Sequence, residues 1–437
     1  MQVDVRFFKA FAWCLVVCAA FAYGHRAVGE ADAASEGATP MASVETTWCS
    51  PEFFPILPWG RLHGWKSPDV DAESALRGMA ECHFTIAGFV TPEDLPLCEK
   101  LGLKAIMATQ RGSGWSTLSD EEIDAKVKGM VEAAGESPAV LGYYITDEPG
   151  ALEFPALGKA VAAVKKYAPG KLAYINLFPD YATIGAPDIS QLDTESYTEY
   201  LERFVNETKP QLLSYDNYQV QYSNDLQNPA RAASYYKNLL EMRRVALKYN
   251  LPFWNIVSSN QIRPFTTVPS PANLLFQAYT TLAAGGRGVS WYTYFPRNYG
   301  YAPVDQEERR TATWGYLEMV NRQVKTLGAV MNRLESTGVY FTSPPPVESL
   351  PVLPGKLVAE VACAEPVMIG EFAGQDGAAY VMAVNLSLER SAKVTLQAAG
   401  KALVGQVFSA TDGSLLPMDE DGGLWLVAGQ GALIRLP

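Results

Sequence analysis

Eight short apolar runs, each followed by a stretch of helical periodicity, constrain this chain more than any other feature. The runs are Phe53 to Trp59, Phe84 to Val90, Leu103 to Thr109, Val140 to Thr146, Lys171 to Phe178, Gln211 to Tyr218, Pro252 to Ser258 and Gly288 to Phe295. Most are continuously apolar or small, which is how strands of a parallel sheet read when both faces are covered. The stretches between them carry helix punctuation. Thr91-Pro-Glu-Asp and Ser119-Asp-Glu-Glu are N-cap sequences, and Gly102 and Asn250 stand where helices should stop. Eight strand–helix units predict an α/β fold, a (β/α)8 TIM barrel. An open doubly wound sheet would usually show a glycine-rich phosphate turn after its first strand, and Phe53 to Trp65 holds nothing of that kind.

The barrel pattern is assigned residues 48–341. Residues 342–355 are a Pro-rich linker, and residues 356–437 alternate in short strands as a small C-terminal antiparallel β-sandwich would. Upstream, Arg6 and Lys9 precede an apolar run from Ala10 that ends in Ala20-Phe21-Ala22. That reads as a secretory signal peptide over residues 1–22, with a flexible lead-in over 23–47. The expected location is therefore secreted, periplasmic or cell-surface. The run is too short to span a bilayer comfortably. Cys18 follows Leu15-Val16-Val17, but Val17 stands where a lipoprotein cleavage box wants a small residue.

With the signal removed, Cys49, Cys82, Cys98 and Cys363 remain, too widely spaced to imply a bridge. A chain with 48% hydrophobic and 19% charged residues has apolar material for a core without disulfides. Its net charge of −12 argues against nucleic acid and anionic membrane as partners. His25, His63 and His83 have no metal-ligand spacing, and no cofactor motif is present, so neither metal nor cofactor is expected.

In barrels of this kind the chemistry sits at the C-terminal ends of the strands. The fourth run, Val140-Leu-Gly-Tyr-Tyr-Ile-Thr-Asp-Glu-Pro-Gly150, ends in two adjacent carboxylates. Two-residue alternation puts Leu141, Tyr143 and Ile145 outward and Glu148 inward. On the sixth run Leu212, Ser214, Asp216 and Tyr218 share a face, and the same parity points Asp216 inward. The other strand ends offer Arg61, His63 and Trp65; Asn176; Asn255; and Trp291, Tyr292 and Tyr294. Carboxylates, amides and aromatic rings suit a carbohydrate, whose hydroxyls need polar partners and whose C–H faces lie on rings. Glu148, Asp216 and Asp147 are the candidate catalytic residues; the others named are candidate sugar contacts.

Two stretches carry a resemblance. Tyr144-Ile-Thr-Asp-Glu-Pro149 resembles the Asn-Glu-Pro ending of the fourth strand in the retaining clan of (β/α)8 glycoside hydrolases, and Leu275 to Tyr294 resembles the last helix–strand unit of β-galactosidase-like bacterial enzymes. The resemblance implies glycosidic-bond hydrolysis with Glu148 as acid/base. One departure accompanies it: the clan's nucleophile is a Glu ending the seventh strand, and no Asp or Glu occurs between Glu241 and Asp305. Asp216 as nucleophile or water-activating base is one repair. Another is that Asp147-Glu148 resembles the Asp-Glu of substrate-assisted hexosaminidases. The third is a carbohydrate-binding or surface protein that no longer cleaves. Plainer readings make Asp147-Glu148-Pro149 a helix start, Asp216 a satisfied strand-end carboxylate and His63 a hydrogen-bonded structural residue.

Overall fold

All eight runs are strands. The computed structural model describes residues 48, 50–60, 62, 71–108, 114–183, 191–222, 226, 229–295, 299–398 and 400–437. In it the runs become β1 (Ile56–Pro58), β2 (Ile86–Val90), β3 (Lys104–Met107), β4 (Val140–Asp147), β5 (Leu172–Leu177), β6 (Leu213–Asp216), β7 (Phe253–Ser258) and β8 (Val289–Tyr292). They pair in parallel in the order β1-β8-β7-β6-β5-β4-β3-β2. The seam between the end strands is closed by single backbone bonds, from Thr85 N–H to the Ile56 carbonyl at 3.2 Å and from Leu62 N–H to the Phe89 carbonyl at 3.2 Å. Gly88 makes the seam possible. Its φ is +90°, and a Cβ there would lie 2.9 Å from the Pro58 carbonyl oxygen.

The helices are α1 (Ala72–Glu81), α2 (Leu95–Leu101), α3 (Asp120–Ala134), α4 (Phe154–Tyr167), α5 (Tyr197–Thr208), α6 (Pro229–Tyr249), α7 (Pro271–Ala283) and α8 (Ala312–Met331). The Ser119–Glu122 capping box forms as the sequence predicts, and Gly102 ends α2 in the left-handed conformation. The last helix begins at Ala312, later than the Glu307 expected from sequence. Asp305 accepts hydrogen bonds from the N–H groups of Glu307 and Arg309 and holds that stretch as a turn. No helix among the described residues is long and apolar enough to cross a membrane.

Two apolar layers result. Leu57, Trp59, Phe89, Leu141, Tyr174, Trp254 and Ile256 fill the barrel, while the opposite strand faces pack against the helices. On β4 the strict alternation fails. Tyr143 and Ile145 do face the helices, but Leu141 belongs to the barrel interior. Pairing slips by one residue against β3 at Leu141, and again against β5 between Tyr144 and Thr146, and each bulge resets the alternation.

The chain then enters β9 (Leu334–Phe341), which pairs with β11 (Val367–Gly374) as the edge of a six-stranded antiparallel sheet. That sheet also holds β12 (Ala379–Asn385), β15 (Gln406–Phe408), β16 (Leu415–Pro417) and β18 (Gly431–Arg435). A smaller sheet of β10 (Glu360–Ala362), β13 (Ala392–Ala398), β14 (Lys401–Ala402) and β17 (Gly423–Leu426) completes a β-sandwich. The Pro-rich stretch returns alongside β9, where Phe341 N–H donates to the Pro351 carbonyl at 2.8 Å. Beyond it the buried Glu371 carboxylate accepts from the N–H groups of Lys356, Leu357 and Val358. Along β12, Val381 and Ala383 face the sandwich core, whereas Tyr380, Met382 and Val384 join the barrel's outer core. Cys82, Cys98 and Cys363 are free thiols; Cys49, Cys18 and residues 1–47 lie outside the described residues.

Candidate active site

Asp147 and Glu148 are consecutive, and on a regular strand consecutive side chains point to opposite faces. Here both reach the same cavity, because Glu148 has φ +48°. A left-handed non-glycine residue costs about 1–3 kcal/mol and persists only where its surroundings hold it. Glu148 N–H donates to the Asn176 carbonyl at 2.9 Å, which fixes the turn. The helix-start reading fails: the next helical turn begins at Ala151 with Gly150 as its cap.

The cavity has a volume of about 490 Å³ and lies at the C-terminal strand ends. Three carboxylates stand among its described lining residues: Asp147, Glu148 and Asp216. The Asn176 amide holds two of them, its Nδ2 donating to Asp147 Oδ1 at 3.1 Å and to Asp216 Oδ1 at 3.0 Å. Ser214 Oγ donates to Asn176 Oδ1 at 3.1 Å and lies 2.9 Å from the Tyr174 hydroxyl, so the amide is locked with its N–H groups toward the acids. Asp216 and Glu148 face the same cavity, where their charges act on one another. Burial and the Asp147 charge push the Glu148 carboxyl up to about 7. Asp216, completely enclosed, is raised well above the usual carboxylate range, by burial first and by the Glu148 and Asp147 charges second.

Aromatic rings form the walls. Tyr218 and Tyr292 pack with centroids 5.0 Å apart, the Tyr292 hydroxyl lies 3.0 Å from that of Tyr299, and Trp59 lines the cavity floor against Phe89. The GH42 β-galactosidase Gan42B of G. stearothermophilus, solved as a catalytic mutant, superimposes with a TM-score of 0.55 at 9% identity, over 88% of this chain and 98% of that one. A family 5 glycoside hydrolase from Bacteroides vulgatus gives 0.55 at 14% identity, over 88% and 89%. The likeness is one of fold, a (β/α)8 barrel followed by β-sheet. Against the β-galactosidase of the psychrophilic Marinomonas ef1 the TM-score is 0.46 at 12% identity, covering 62% of this chain and 60% of that one. No protein-family model matches the chain, and no curated protein matches it in sequence.

Of the residues expected at the site, Glu148, Asp216, Asp147, Asn176, Tyr218 and Tyr292 line the cavity. Three others point away from it. Asn255 donates to Thr281 on α7, Trp291 donates to Asn321 on α8 at 2.8 Å, and the Tyr294 hydroxyl accepts from Trp314 at 3.0 Å. Asn255 and Trp291 fall on the helix-facing parity of their strands, opposite Trp254 and Tyr292; Tyr294, beyond the end of β8, packs against Phe84 in the same outer core. Arg61, His63 and Trp65 lie outside the described residues. The structure adds Trp59, Tyr181, Gln219, Tyr222, Arg231, Ile262 and Tyr299 to the lining. Trp59 was legible as the end of the first run. Arg231, which donates to Gln219 Oε1 at 2.8 Å and stacks over Tyr222, lies in the first turn of a helix, where no strand-end rule finds it.

Proposed function

We propose that the protein is an exported glycoside hydrolase acting on a glycan or oligosaccharide, with Glu148 as its general acid/base. The observation carrying this reading is Glu148 itself: a carboxyl held near pH 7 by burial and a neighbouring charge, facing a cavity walled by tyrosine and tryptophan. Protonation of a glycosidic oxygen at neutral pH requires such an acid. Tyr218, Tyr292 and Trp59 give the sugar its ring platforms, and Asn176, Gln219 and Arg231 offer polar partners for hydroxyls. The apolar leader ending in Ala20-Phe21-Ala22 supports export. A panel of aryl glycosides tests the reading. Wild-type protein should cleave at least one of them, and Glu148→Gln should lower kcat by about 10²–10⁴-fold with an unchanged circular-dichroism spectrum. A Glu148→Gln variant with full activity sinks the assignment.

One observation favours a second reading, a carbohydrate-binding protein that no longer cleaves. Two-carboxylate hydrolysis needs the carboxyls about 5–5.5 Å apart for retention or about 6.5–9.5 Å for inversion. Asp216, the candidate second carboxylate, is instead buried with its Oδ1 bound by Asn176, and β7 carries no acid. A glycan array run beside the glycoside panel separates the readings, since the second predicts binding without turnover.

A further inference from the structure

We propose that Asp180 is the positioning residue of one wall of the cavity, fixing the side chains against which the sugar is held; this rests on the hydrolase reading above. That wall comes from three separate stretches of chain. Tyr181 follows β5, Tyr218, Gln219 and Tyr222 follow β6, and Arg231 belongs to the first turn of α6. Asp180 is not among the described lining residues. It stands one position before Tyr181, at the start of the 3-10 turn Asp180–Thr183.

Four polar side chains, Asp180, Asn217, Ser234 and Asn238, join the three stretches. Ser234 Oγ donates to Asp180 Oδ1 at 2.6 Å and Asp180 N–H donates to Asn238 Oδ1 at 3.2 Å, which ties the turn after β5 to α6 at two points. Asn217 Nδ2 donates to the same Asn238 oxygen at 3.0 Å, and Asn217 Oδ1 accepts the N–H of Gln219 at 3.0 Å, which brings in the turn after β6. Gln219 Oε1 then accepts from Arg231 at 2.8 Å. Asn217 and Asn238 are buried, so bulk water does not compete for their bonds. Of the four, Asp180 alone changes charge with pH.

An ionised carboxylate makes the Ser234 bond charge-assisted, roughly twice as strong as a neutral one. Burial opposes that charge and pushes the Asp180 carboxyl up to about 6, while the Ser234 hydrogen bond and the Lys237 charge on α6 pull the other way. Tyr197 of α5, Tyr215 of β6 and Tyr181 also face it; burial holds all three phenols well above their usual value, so none of them competes for the proton. As pH falls through about 6, protonation weakens the bond to α6 and slackens Tyr181 and Arg231 together. Glu148 is held separately, at the end of β4 with its N–H on the Asn176 carbonyl. The wall therefore acts on how tightly the sugar is bound, and the acid on how fast it reacts.

The test compares wild type with Asp180→Asn, which keeps the shape of the side chain and holds no charge, on an aryl glycoside that the wild type cleaves. Wild-type KM should rise below about pH 6. In Asp180→Asn, KM at pH 7 should be raised about tenfold, the size of effect a charge-assisted hydrogen bond carries, with kcat unchanged and the rise below pH 6 gone. Ser234→Ala removes the same bond from the other side and should raise KM in the same way. Amide hydrogen exchange, which needs no substrate, should quicken in both variants over residues 180–183 and 217–222 and stay as it is in β1 to β4. Unchanged KM and exchange, or a loss that lies in kcat, overturns this proposal and leaves the hydrolase reading standing. A wild type that neither cleaves nor binds any glycan overturns both.

Discussion

At Glu148 the backbone is left-handed and the carboxyl is mostly dry, and both features work against stability. The usual value of 4.5 rises to about 7 in the folded state. A raised acid binds its proton more tightly when folded, so the associated stability is intact below pH 4.5 and declines as pH climbs toward about 7. The full loss is at most about 3 kcal/mol. Glu148→Gln should therefore match wild type in urea unfolding near pH 4.5 and exceed it at pH 8; equal stability at both pH values would contradict the shift. Activity should run in parallel, falling through about pH 7 as the acid form is lost. The acid itself was legible in the sequence, because two carboxylates ending an apolar run have few other uses. Its side of the strand was reached from an alternation that β4 breaks at two bulges, and a bulge has no signature in residue type. Trp291 shows the converse. A large ring at a strand end attracts a functional reading, yet on β8 it is Tyr292 that shares the inner parity, and one anchored residue per strand would have separated them.

Among the elements, the β1–β2 seam is the least securely closed part of the barrel, held by scattered backbone bonds where its neighbours have ladders. Gly88 sits at that seam with φ +90° and the Pro58 carbonyl in its way. Gly88→Val should cost about 2–4 kcal/mol by combining backbone strain with a clash. Chemical denaturation would show this as a lower midpoint, and a variant within about 0.5 kcal/mol of wild type would mean that the seam relaxes freely. The eight strands themselves were legible because burial on both faces leaves little but apolar residues in them. The site's loops were not: Tyr181, Gln219, Tyr222, Ile262 and Tyr299 follow their strands at unequal distances, and no periodicity governs such segments.

Across the whole molecule, barrel and sandwich share a core. Gly370 of β11 lies so close to α7 that a Cβ would come within 2.2 Å of the Ala283 carbonyl oxygen, and a Cβ on Gly431 of β18 would lie 2.5 Å from the Tyr279 ring. Calorimetry should accordingly show one unfolding transition for the wild type. Gly370→Val should split it in two or lower it by several degrees, and an unchanged single transition would show that the contact tolerates a side chain. The linker pattern at residues 342–355 gave no hint of this intimacy, since proline-rich composition reads the same in a free spacer and in a strap laid along a strand. From Asn273 to Ala283 every residue of α7 is buried, clad by strands on one side and by the sandwich on the other. That cladding sets an order of events during synthesis. The helix leaves the ribosome well before β18, the last strand of its cover, and until then one flank has only water beside it. A nascent chain stalled short of Gly431 would therefore be a target for chaperones and proteases, whereas one released just beyond Arg435 has every strand it needs to close over the helix.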